Sequence, residues 1–107
     1  MPDESRVAAL RKTLEANPSD AFARYALGLE YSGSGETDAA LVEFQLLLAA
    51  HPDYTSGYFM SAQALARAER NDEAKSMLQQ GIASARRTGN QHALSEMEAM
   101  LDELASG

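Results

Sequence analysis

Apolar residues recur at helical spacing along this chain, and glycine, asparagine and proline interrupt the rhythm. Val7, Leu10 and Leu14 stand three and four apart, which predicts a helix from about Glu4 to Ala16. Asn17-Pro18 stops it, because the residue before a proline is pushed out of the helical region. Asp20 can cap a second helix reaching about Ser32. In Gly33-Ser34-Gly35 a glycine is available for the left-handed residue that closes such a helix. A third helix begins at Thr37 or Asp38 and ends before Pro52, with Leu41, Phe44, Leu47 and Leu48 as its stripe. A fourth covers about Thr55 to Ala68. A fifth covers about Asp72 to Arg87, with Met77, Leu78 and Ile82 as its stripe. After Thr88-Gly89-Asn90 a sixth covers about Gln91 to Ala105; Leu94, Met97, Leu101 and Leu104 make one face, widened by Met100. Isoleucine and valine together number three, so strand formers are scarce. The pattern is all-α.

The pattern also returns after 34 residues. Asn17-Pro18 becomes His51-Pro52, Gly28 becomes Ala62, and Asp38 becomes Asp72. Ala40 becomes Ala74, Phe44 becomes Leu78, and Leu48 becomes Ile82. Each pair keeps a physical type, and this offset is the period of a helix–turn–helix solenoid unit. The small residues mark where helices come close. Gly81 interrupts a helical run at a cost of about 1 kcal/mol relative to alanine, which close packing against the sixth helix would explain. The proline due at the next step is Arg86, so the fifth helix is expected to run on past that point.

These residues resemble the tetratricopeptide repeat family. Leu27-Gly28-x-x-Tyr31, then Gly35, Ala40, Phe44 and Pro52, follow its pattern of small and large positions without a gap. The second unit keeps Ala62, Leu65, Ala74, Leu78 and Gly81. Arg24 and Tyr58 replace the family's early tryptophan. The resemblance covers about residues 5–88. It implies a half repeat at 5–18 and repeats at 21–54 and 55–88; the sixth helix, apolar on one face and acidic on the other, reads as a capping helix at 90–105. The resemblance also implies a right-handed superhelix of antiparallel helical hairpins. The first helix of each hairpin would line a concave groove for a peptide or a partner's helix. Carried onto this chain, that groove holds Phe22, Tyr25, Leu29 and Ser32, then Ser56, Phe59, Gln63 and Arg67. One branch of the family grips acidic chaperone tails with lysine, asparagine and arginine. Tyr25 and Leu29 stand at matching positions here, so that clamp is absent.

The residues by themselves agree that the second helix is apolar on two sides. Phe22, Tyr25 and Leu29 fall on one, and Ala23, Leu27 and Tyr31 nearer the other. One side meets the hairpin partner. The other faces either a ligand or the sixth helix, whose Met97, Met100, Leu101 and Leu104 could pack over Tyr25 and Phe59. Tyr31 and Phe44 read as core. The function expected is a protein–protein interaction module. With only about two and a half units and a cap, self-association into a homodimer is the alternative.

Charge and chemistry narrow the classes further. The net charge of −7 opposes binding to phosphate backbones and to anionic membrane surfaces. There is no cysteine, so disulfides and thiolate chemistry are excluded. The polar start of the chain lacks a signal-peptide core, and the run from Leu46 to Ala50 is too short to span a bilayer. A cytoplasmic location is the expectation. His51 and His92 lack metal-site spacing; His51 is expected to complement a helix C-terminus. Gly33-Ser34-Gly35 has no lysine in phosphate-loop register. Neighbouring acids such as Asp72-Glu73 point about 100° apart on a helix and cannot face each other across a substrate. An enzyme is therefore not expected, nor a metal or cofactor.

Overall fold

The computed structural model describes residues 1–106. Within them, each helix begins and ends where the local chemistry changes. The Asp3 carboxylate accepts from the Arg6 amide at 3.1 Å and opens α1 (Glu4–Ala16). Asp20 does the same for α2 (Ala21–Gly33), accepting from the Ala23 amide at 2.9 Å. Then come α3 (Thr37–Ala50), α4 (Thr55–Arg67) and α5 (Asn71–Thr88). The Asn90 side chain accepts from the Ala93 amide at 3.0 Å at the start of α6 (Gln91–Ser106). Among the described residues there are six helices and no strand. All six are those predicted from the apolar spacing. Without a proline near Arg86, α5 runs to Thr88 and closes on Gly89 in the left-handed region, φ +68°.

Helices α2 and α3 form one hairpin, and α4 and α5 the next. Helix α3 also packs on α4, and α5 on α6, while α1 packs on α2. Helix α4 touches both α2 and α6. So α2, α4 and α6 lie side by side in one layer, with α3 and α5 behind the joints between them. The result measures 40 × 29 × 19 Å.

The repeated small residues sit at the closest approaches. A Cβ on Gly28 would stand 2.5–2.9 Å from the Phe44 ring. One on Gly81 would stand 2.5 Å from Met97 Sδ and 2.7 Å from Tyr58 Cβ. The approach expected between Gly81 and α6 is present, and α4 shares it through Tyr58. Phe44 and Leu47 fill the first hairpin, while Tyr58, Leu78, Ile82 and Met97 fill the second.

Polar ties lock the helices in register. Glu43 is only 5% exposed; it accepts from Arg24 at 2.9 Å and lies 3.8 Å from Arg11, joining α1, α2 and α3. At the second hairpin, Thr55 and Ser84 share a buried hydrogen bond of 2.9 Å, and Arg87 reaches Asp53 at 2.7 Å. His51 does more than cap a helix. Its Nε2 lies 2.9 Å from the Ser19 carbonyl, so it fastens the end of α3 to the loop before α2.

Candidate functional site

The residues expected to line the groove all lie on α2 and α4, but they have different neighbours. Phe22 follows the Asp20 cap by two residues and is 70% exposed. A seven-residue step is nearly two turns, so Leu29 shares its face. Leu29 is half-buried at the edge of the Ala40–Phe44–Leu47 cluster. Tyr25 is half-buried beside the same cluster. Its ring centroid lies 5.2 Å from Tyr54 and 6.2 Å from Phe44, both tilted. Burial raises the Tyr25 phenol above its ordinary pKa; Tyr54 adds to this, and a hydrogen bond with Ser56 opposes it.

Ser32 is buried, 5% exposed, at the wall of a cavity of about 340 Å3 that Arg67 also lines. Its hydroxyl accepts from the Arg67 guanidinium at 2.6 Å. These two predicted groove residues therefore hold α2 against α4. Ser56 is exposed, and Phe59 and Gln63 are half-buried. Phe59 and Gln63 line a cleft of about 410 Å3 with Glu96, Ala99, Met100 and Glu103 of α6.

The two readings of the sixth helix resolve differently at the two aromatics. Met97 is fully buried, and Met100, Leu101 and Leu104 join the cluster that Phe59 packs against. Tyr25 belongs to the cluster around Phe44, to which α6 contributes nothing. Among the described residues α6 does not reach α2. Helix α6 therefore extends the layer beyond α4 and leaves the α2 end open.

Glu96, Ala99 and Glu103 of this surface are absent from the predicted set, and so are two methionines. Met60 packs on the Phe44 cluster from α4, and Met100 lines the α4–α6 cleft. The repeat offset pairs Met60 with Ala26, a small residue that gave no signal. Met100 reads from the sequence as a widening of an apolar face and as a residue that could cover Tyr25 or Phe59, not as a groove residue. Among the described residues no three His, Cys, Asp or Glu side chains are grouped to hold a metal ion. None of the helices is long and apolar enough to cross a membrane.

The tetratricopeptide repeat family model matches residues 31–97, more than half of the sequence. The chain belongs to that family. A TPR repeat-containing protein of Pseudomonas aeruginosa is 28% identical over 98 residues, 92% of this chain and 93% of that one. The solution structure of a tetratricopeptide repeat domain protein from Salinibacter ruber is 34% identical, with a TM-score of 0.75. That match covers 82% of this chain and 89% of the other. The TPR2B domain of yeast Sti1, solved as a complex with pHsp70, superposes with a TM-score of 0.86 over 94% of this chain and 80% of that one. At 14% identity, that likeness is one of fold. This tetratricopeptide repeat chain has the architecture of a protein–protein interaction module.

Proposed function

We propose that the layer of α2, α4 and α6 binds a peptide or helix of a partner protein through apolar contacts. The observation that carries this reading is Phe22. An aromatic side chain 70% exposed on a first-turn position leaves apolar surface in water and lies outside the buried core. It shares its face with Leu29, and Met60 packs nearby on the same cluster as Leu29. Burying such a patch is worth roughly 25 cal/mol per Å2, and aromatic anchors carry much of the energy of an interface. The TPR2B domain of Sti1, which shares the fold, is itself in a complex with pHsp70. The partner of this chain is read instead as one with apolar anchors, because Tyr25 and Leu29 offer no cationic clamp.

The test uses a random 12-residue peptide library displayed on phage. Retained peptides are then measured against the wild type and Phe22→Asp. Phe22 is largely exposed, so the variant is expected to stay folded. Binding should weaken by about tenfold, the loss of one interface anchor. Unchanged affinity contradicts the reading.

The alternative, self-association, has its own observation. Val42 and Leu46 are 53% and 49% exposed and stand one turn apart on α3, in the other layer. Sedimentation equilibrium at high concentration tests it. A dimer abolished by Leu46→Glu supports it, and a strict monomer rules it out.

A further inference from the structure

The cleft between α4 and α6 differs in character from the α2 end of the same layer. Phe59, Ala99 and Met100 give it apolar walls, and Glu96 and Glu103 stand at its margins. On α6 these residues form one stripe: Glu96, then Met100 four residues on, then Glu103 three further. The two carboxylates are seven residues apart, about 10 Å along the helix axis, with the apolar residues between them.

Nothing in the fold requires these acids. Glu103 lies in the last turn of α6, where the helix dipole disfavours negative charge, and no basic residue in that turn offsets it. Glu103 has no ion pair among the described residues, and Glu96 has only the exposed His92, 3.2 Å away. Elsewhere acids tie separate elements together: Glu43 of α3 with Arg24 of α2, Asp38 of α3 with Arg70 in the turn before α5, Glu98 of α6 with Arg86 of α5. Beyond Arg87 the sequence has no lysine or arginine, and the whole chain carries a net charge of −7. The charged side chains lining this cleft, Glu96 and Glu103, are both acidic, which attracts cationic segments and repels acidic tails.

We propose that this cleft selects a cationic segment of the partner protein: an apolar side chain seated against Phe59 and Met100, flanked by two Lys or Arg side chains that meet Glu96 and Glu103. The proposal rests on the interaction reading given above and adds the chemistry of the partner. On a partner helix, basic residues seven apart with an apolar residue between them match the stripe.

The peptides retained from the random library supply the test. They should be enriched in Lys and Arg around an apolar residue. Their affinity should fall by about three- to tenfold for Glu96→Gln/Glu103→Gln, the range expected for two exposed ion pairs. Raising salt from about 50 to about 500 mM should weaken the wild type by a similar factor and leave the double variant nearly unchanged. Both substitutions are on exposed positions, and circular dichroism checks that α6 is intact. Neutral or acidic peptides that are lost with Phe22→Asp but indifferent to the Gln pair overturn this proposal and leave the binding layer standing. Cationic peptides equally indifferent to the Gln pair also overturn it, since their charges are then met elsewhere. A library from which no peptide is retained overturns both readings.

Discussion

Arg24 and Tyr58 stand 34 residues apart, and each donates to the carbonyl of the proline six residues before it. Arg24 reaches Pro18 at 3.2 Å and Tyr58 reaches Pro52 at 2.7 Å. Two unlike side chains thus fill one position of the repeat with the same hydrogen bond. That equivalence cannot be read from residue type, because it lies in what the side chain reaches. Another unlike pair shares a backbone conformation. Gly35 and Glu69 share a repeat position and both adopt positive φ, +81° and +61°. A left-handed conformation costs a residue with a Cβ roughly 1–2 kcal/mol, and glycine avoids most of that. Glu69→Gly should therefore raise stability by about 0.5–1 kcal/mol, measured as a higher urea midpoint with an unchanged slope. Gly28 is constrained by space. Gly28→Leu would drive a side chain into the Phe44 ring and should cost about 1–3 kcal/mol or more. Near-normal thermal unfolding of that variant would mean the hairpin does not close at this point.

At the scale of the element, the helices were legible because their punctuation is local. Asn17-Pro18, Gly33-Ser34-Gly35 and Thr88-Gly89-Asn90 act through the backbone of their own residues. The placement of α6 was not legible in that way. Whether Met97 and Met100 cover Tyr25 or Phe59 depends on the angle between hairpins, which no single stripe encodes. The polar ties between helices were hidden for a similar reason. Glu43 reads as one acid in an apolar helix, and Ser32 as a groove residue, until Arg24 and Arg67 are seen to reach them. Met97 anchors α6, so Met97→Ala should cost about 2–5 kcal/mol and selectively loosen that helix in hydrogen exchange. Helix α1 packs on α2 through Val7 and Leu14, and an ion pair from Arg6 to Glu30 adds to that contact. Its Arg6 holds the Glu30 carboxyl below its ordinary pKa by a hydrogen bond and by charge. A carboxyl depressed on folding adds stability above its unfolded value and loses it as pH falls through the folded one. Exchange of α1 amides should therefore accelerate relative to α5 below about pH 4, and Glu30→Gln should remove that difference.

At the scale of the whole molecule, the two layers divide the work. The layer of α3 and α5 closes the hairpins from behind, and the layer of α2, α4 and α6 presents its outer side to solvent. That side runs from the exposed Phe22 at one end to the Phe59–Met100 cleft at the other. The family and the helical stack were legible in the repeat, whereas the acidic margin of the cleft emerged only once α6 was seen beside α4. The central claim, that this outer side is the binding face, meets its most direct test in a 15N chemical-shift titration with a peptide retained from the library. The account predicts shifts concentrated at Phe22, Leu29, Gln63 and Met100, with little change around Val42 and Leu46. Shifts concentrated on Val42, Leu46 and their neighbours in α3 would contradict it and move the binding face to the other layer.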